Sequence, residues 1–211
     1  MTTTLQSPPV RTVLDRLFTA ANRDEDRHAE WPAGATAQEA ADALAAVYMP
    51  VSASGGDLLY ALVRAIRPAT VVEFGTSYGI STLYLAAAVA DNGVGHVFST
   101  ELSATKIAAA RSNVDEAGLG DRVTILPGDA RETLSDIPGP IGLVLLDGWK
   151  DLYLPVLRLL EPRLAPGALV VADDITMPSV SGYLDYVRDP ANGYVSVDFP
   201  VADGMELSCR G

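Results

Sequence analysis

Acidic residues close five short apolar runs in succession: Glu73 after Thr-Val-Val, Glu101 after Val-Phe-Ser-Thr, Asp129 after Val-Thr-Ile-Leu-Pro-Gly, Asp147 after Leu-Val-Leu-Leu, and Asp173 with Asp174 after Leu-Val-Val-Ala. Any one of them is explained equally well as a helix cap or a solvated loop end. Their recurrence points to one place, because ligands of open α/β sheets bind in the crevice outside the carboxyl ends of the strands. Asp147, Asp173 and Asp174 have the most definite chemistry. Three hard oxygen donors without histidine or cysteine suit Mg2+ or a similar divalent cation, and three uncompensated carboxylates need either a cation or a raised pKa. Lys150 follows Asp147 by three positions. As an ordinary residue it is the salt-bridge partner of Asp147 or Asp151; beside a bound metal its pKa falls and it becomes a usable base.

A second constellation is Glu73-Phe-Gly75-Thr-Ser-Tyr-Gly79-Ile-Ser81. Its glycines let the backbone pass close to a ligand at the start of a helix, but the dinucleotide pattern G-x-G-x-x-G is absent. A pyrophosphate is a poor guest among so many carboxylates. The lining suits a ligand with hydroxyls, an amino group, a positive centre and no phosphate, which describes S-adenosylmethionine. Glu101 then stands where an acid accepts hydrogen bonds from ribose hydroxyls, and Asp129 where one meets the adenine amino group.

The bulk properties agree. A chain of 211 residues with 48% hydrophobic and 20% charged content fits one well-filled domain. A net charge of −12 argues against a nucleic-acid partner and for a small molecule. The single cysteine, Cys209, excludes a disulfide framework, and no run approaches a membrane span or a secretory leader. These features lead us to expect a cytoplasmic protein.

The elements that must position the acids follow from periodicity. Helical spacing is predicted from Val10 to Asn22, from a Thr36/Glu39 capping box to about Tyr48, and from Asp57 to Ile66. The polar stretch from Asn22 to Gly34 reads as a connector. Strands are then predicted at Thr70–Phe74, His96–Thr100, Val123–Leu126, Ile141–Leu146 and Ala168–Ala172. Helices fall between them near Ser81–Ala90, Ala104–Ala117, Arg131–Leu134 and Asp151–Leu164. Such alternation implies a mostly parallel sheet covered on both faces. A helix near Val180–Val187 and two strand-like runs, Tyr194–Phe199 and Met205–Cys209, suggest a terminal hairpin at the sheet edge.

The run Leu145-Leu-Asp-Gly-Trp-Lys-Asp-Leu-Tyr-Leu-Pro155 resembles the cation-dependent O-methyltransferase family of the catechol O-methyltransferase type. Glu73-Phe-Gly-Thr-Ser-Tyr-Gly-Ile-Ser81, Thr100-Glu101, Gly128-Asp129, Val171-Ala-Asp-Asp174 and the upstream Tyr48-Met-Pro-Val extend the resemblance over about Met49 to Gly211. It implies a single Rossmann-like class I methyltransferase domain: an α/β fold with a mostly parallel seven-stranded sheet, a C-terminal antiparallel hairpin and N-terminal helices. Residues 1–50 would form a helical cap and 51–211 the S-adenosylmethionine-binding core. The cofactor-binding residues implied are Met49, Glu73, Gly75, Ser77, Gly79, Ser81, Glu101, Asp129, Ala130, Asp147 and Trp149, with Gly75 at the methionine part, Glu101 at the ribose and Trp149 near the adenine. Asp147, Asp173 and Asp174 would hold Mg2+, and Lys150 with Asp147 would be catalytic, the lysine taking a proton from a catechol-like or other small phenolic acceptor.

Two departures stand out. Asp174 occupies a position where the family usually has asparagine, and Gly148 one where the catechol enzyme has a larger residue, which leads us to expect a wider acceptor pocket. The family's last substrate-gripping acid has no clear counterpart; Asp198 is near but out of register. The acceptor pocket is expected to take its shape from Trp31, Met49, Tyr78, Trp149 and the hairpin. His28 and His96 receive no role. The amino-terminal helices are expected either to cover the site or to form the surface of a homodimer. A metal-independent methyltransferase of a specialised metabolite and a non-catalytic S-adenosylmethionine-binding protein are the other readings the residues permit.

Overall fold

The structure is a computed structural model that describes residues 2–24 and 34–211; most of the predicted connector, with His28 and Trp31, lies outside the described residues. Three helices come first: α1 (Pro8–Ala21), α2 (Ala37–Ala43) and α3 (Ala53–Ile66). Strands and helices then alternate: β1 (Thr70–Phe74), α4 (Ile80–Asn92), β2 (His96–Glu101), α5 (Ala104–Glu116), β3 (Val123–Pro127), α6 (Ala130–Thr133), β4 (Ile141–Leu146), α7 (Tyr153–Leu160), β5 (Leu164–Ala172), α8 (Ser181–Arg188), β6 (Tyr194–Phe199) and β7 (Met205–Arg210). The sheet order is β3-β2-β1-β4-β5-β7-β6; β7 lies antiparallel to both β5 and β6, and the other pairings are parallel. Among the described residues no helix is long and apolar enough to cross a membrane.

The strands read as near-continuous aliphatic runs because both faces of the sheet are covered. Alternate side chains divide between two cores. Val71, Leu143, Leu145 and Val171 pack with α1, α3 and α4, whereas Val72, Val144, Leu146, Val170 and Ala172 pack with α6, α7 and α8. Val10, Val13, Leu14 and Leu17 of α1 belong to the first core, so this amino-terminal helix is welded to the sheet. Asp91 adds a polar tie, accepting from Thr4 N and Tyr60 Oη.

Local chemistry corrects several predicted boundaries. The Thr36/Glu39 capping box forms as expected, but its helix stops at Ala43, well before Tyr48. The segment beyond it leaves helical geometry before Pro50, with Met49 at φ of 45°. Helix α3 begins four residues earlier than the spacing predicts, capped by Ser52 Oγ accepting from Gly55 N. Gly55 and Gly56 look like breakers in sequence; here they are buried packing positions, and a Cβ on Gly56 would collide with the Tyr84 ring of α4. The predicted helix from Asp151 to Leu164 is divided into a 3-10 turn (Lys150–Leu152), α7, and a second 3-10 turn at Glu161–Arg163. Pro162 cannot donate the next helical hydrogen bond.

Two glycine substitutions should separate packing from propensity in chemical denaturation. Gly56→Ala is expected to lower unfolding free energy by about 1–3 kcal/mol through overpacking against Tyr84. Gly182→Ala, in α8 with open space around its Cβ, is expected to raise it by about 0.4–1 kcal/mol.

Candidate functional site

The sheet order reverses between β1 and β4, the position at which an open α/β sheet leaves a crevice at its carboxyl edge. Here Asp147 N donates to Phe74 O (2.8 Å), and Gly75 turns away with φ of 106°. A Cβ at Gly75 would stand 2.5 Å from Asp147 O. The glycine thus serves an approach of backbone to backbone, where the sequence suggested backbone to ligand. A cavity of about 640 Å³ opens at this point, bounded by the β1–α4 loop, the ends of β2 to β5, the segment before α3, and the β6–β7 turn.

Of the residues singled out in sequence, Met49, Gly75, Ser77, Ser81, Glu101, Asp129, Ala130, Asp147, Trp149, Lys150, Asp173 and Asp174 line this cavity. Glu73 and Gly79 do not. Gly79 caps α4 with φ of 87°. Glu73 is fully buried behind the wall, where Oε2 accepts from Thr82 Oγ1 and Ser99 Oγ (both 2.5 Å); Oε1 has no partner among the described residues. Burial pushes its pKa up to about 7 against the pull of these hydroxyls.

Glu101 is fixed by three backbone donors. Oε2 accepts from Ser77 N (2.9 Å), and Oε1 from Leu102 N (2.8 Å) and Ser103 N (2.9 Å). Ser77, itself at φ of 47°, donates its hydroxyl to Tyr48 O (2.6 Å). Tyr48 stacks on Tyr78 at 4.0 Å between centroids, so the carboxylate, the loop and the segment entering α3 form one unit. Asp129 acts as the bland reading foresaw: it caps α6 through Arg131 N and pairs with the Arg131 guanidinium, which lowers its pKa.

Asp147, Asp173 and Asp174 each offer a carboxylate oxygen within 4.8 Å of the others. Sheet register brings them together, since Leu146 pairs with Ala172 and Asp173 N donates to Leu146 O (3.0 Å). Asp174 sits at φ of 55°, a left-handed conformation that aspartate and asparagine both tolerate. The Lys150 ammonium lies 2.8 Å from Asp174 Oδ2 and 3.3 Å from Asp147 Oδ1. Desolvation raises the Asp147 and Asp173 carboxyls, Asp173 to about 6, with neighbouring carboxylates adding to it. Burial by itself would lower Lys150; the attraction of Asp147, Asp174 and Asp173 outweighs it and holds the lysine above its ordinary range.

Gly148 does not widen the pocket. A Cβ there would stand 2.5 Å from the Phe74 ring, which already fills the space. Sequence reasoning also missed residues that line the cavity. Lys106, 3% exposed, stands 6.0 Å above Tyr78 with its pKa lowered by burial; its signal was a lysine on the apolar stripe with Ile107, Ala110 and Val114. Asp203, on the β6–β7 turn, adds to the negative charge that raises Asp173, whereas Asp198 is exposed on β6 and does not line the cavity.

Comparison with known proteins places this geometry. Residues 72–175 match a family model described as a methyltransferase domain. Catechol O-methyltransferase of Sus scrofa is 31% identical over 147 residues, covering 66% of this chain and 78% of that enzyme. The Mus musculus enzyme is also 31% identical, but the match spans only about half of it (55%). Catechol O-methyltransferase of Mycobacterium tuberculosis is 34% identical, covering 68% of this chain and 65% of the relative. Among solved structures, a protein from Klebsiella pneumoniae described as a candidate O-methyltransferase superposes with a TM-score of 0.72 at 24% identity, covering 94% and 90% of the two chains. The cofactor-bound protein Rv0187 from MTB gives 0.69 at 26%, covering 97% of each.

The raised Glu73 carboxyl makes stability depend on pH in a definite sense. The folded state holds this proton more tightly, so the contribution is complete below pH 4.5 and is lost as pH rises through about 7. Glu73→Gln is expected to flatten that decline, which is up to about 3 kcal/mol in the native protein, in denaturant midpoints compared between pH 5 and pH 8.

Proposed function

Because the chain belongs to the class I O-methyltransferase family that includes catechol O-methyltransferase, we propose that it transfers the methyl group of S-adenosylmethionine to one hydroxyl of a small catechol-like or phenolic acceptor, with a divalent cation such as Mg2+ held by Asp147, Asp173 and Asp174. The observation that carries this reading is the meeting of that carboxylate triad, Lys150 and the backbone-fixed Glu101 in one cavity. The donor set fits such a cation: hard oxygens from neighbouring strand ends, with no sulfur or imidazole ligand among the described residues of the cluster. When bound, the cofactor supplies an electrophilic methyl group and the cation supplies positive charge beside the acceptor oxygens.

The chain's own residues account for the rest. Glu101 spends three of its roughly four lone-pair sites on backbone donors and keeps one, on Oε2, for a ribose hydroxyl. Trp149, Ala130 and Asp129 line the cavity, and an indole there would give the adenine ring an apolar surface. Gly75 and Ser77 shape the wall for the methionine part. Lys150 becomes a base only when the charge of Asp147 and Asp174 is taken up elsewhere, because their attraction now keeps its proton in place. It then receives the acceptor's hydroxyl proton while the fixed geometry holds the oxygen in line with the methyl group.

A metal-independent transfer is the second reading. It is favoured by the ion pairs through which Lys150 already answers two of the three carboxylates.

Methyl transfer to caffeate and 3,4-dihydroxybenzoate, read by product mass with Mg2+ or with EDTA, separates the two. The expected result is product that vanishes with EDTA and a loss of about 10²–10⁴-fold in Lys150→Met. Product that survives EDTA would support the second reading, and unchanged rates in both Lys150→Met and Asp173→Asn would sink the first.

A further inference from the structure

Tyr153 opens α7 three residues after Lys150, and its side chain is fully buried. Its ring is gripped by two others, Phe74 at 6.4 Å and Tyr183 at 5.8 Å between centroids, both edge-on. This packing leaves the hydroxyl one position, at the junction of the β4 and β5 ends. There Tyr153 Oη donates to Asp173 O (3.1 Å) and accepts from Lys150 Nζ (2.8 Å).

The direction of these two bonds matters. A phenol has one proton, and here it goes to a backbone carbonyl that accepts only. Tyr153 can therefore face Lys150 only as an acceptor, so one N–H of the lysine is always turned toward it. The other two N–H groups of the ammonium face Asp174 Oδ2 and Asp147 Oδ1.

We propose that Tyr153 is a positioning residue for Lys150: its hydroxyl ties the ammonium to the backbone carrying Asp173 and so holds it at the corner of the cavity where the ends of β4 and β5 meet. The inference rests on the reading of Lys150 as the base. The Lys150–Tyr153 spacing places the two side chains at successive turns around the same corner of the fold.

The test is a double-mutant cycle in the methyl-transfer assay. Tyr153→Phe keeps the ring between Phe74 and Tyr183 and removes only the hydroxyl. It is expected to lower kcat about 10-fold, the worth of one well-placed buried hydrogen bond, and to leave KM for S-adenosylmethionine within about threefold. In a Lys150→Met background the same change is expected to leave the residual rate unaltered, because the group it positions is gone. A structural tyrosine would slow both backgrounds alike and raise KM; that outcome, or an undiminished kcat in Tyr153→Phe alone, overturns the proposal. If Lys150→Met keeps the wild-type rate, the base assignment fails and this inference falls with it. A slow Lys150→Met beside a fast Tyr153→Phe refutes the inference alone.

Discussion

Three carboxylates and one ammonium confined to the end of two neighbouring strands set the terms for everything around them. With ligand oxygens within 4.8 Å of one another, each ionised pair of carboxylates repels by roughly 3 kcal/mol at an effective dielectric constant of about 20. Lys150 offsets part of this; burial first, and the remaining repulsion second, hold the carboxyls of Asp147 and Asp173 raised. An arrangement of this kind persists only where a rigid frame enforces it. That frame is the parallel ladder of β1, β4 and β5, whose burial on both faces leaves the strand ends no freedom to part.

From that constraint the neighbouring features follow. Gly75 is required because β1 must leave the sheet directly beneath the Asp147 carbonyl. Gly148 is required because Phe74 fills the space beside it, and Phe74 in turn grips the ring of Tyr153. The turn that begins at Lys150 returns the chain to α7 through that same tyrosine. On the other side of the cavity, Glu101 freezes the β1–α4 loop through Ser77 N, and Ser77 carries the constraint to Tyr48 and the entry to α3. One end of the cavity is thus organised to receive hydroxyls and the other to gather positive charge.

Much of this was legible from residue order, because buried parallel strands leave continuous aliphatic runs and their ends are marked by the acids themselves. The five parallel strands, the capping box at Thr36 and the triad with Lys150 follow from such local signals. What escaped depended on partners distant in sequence. Gly55 and Gly56 escaped because what packs against them, Met205 and Val51 on the first and the Tyr84 ring on the second, cannot be read from local spacing. Gly148 looks like added room until Phe74 is found in it. Asp203 escaped because only the β6–β7 turn carries it to the cavity, whereas Asp198, out of register in sequence, is exposed on β6. The division of labour among the acids was also hidden: Asp129 spends its charge on Arg131, and Glu73 lies behind the wall.

The account turns on whether the triad is a cation site, and calorimetric titration of metal-stripped protein with Mg2+ or Mn2+ addresses that directly, without any acceptor. One cation per chain is expected to bind, with binding lost in Asp173→Asn and Asp147→Asn while the unfolding transition remains cooperative. Absence of binding to the native chain, or binding that survives both substitutions, would contradict it and leave Lys150 as the permanent counter-ion of the three carboxylates.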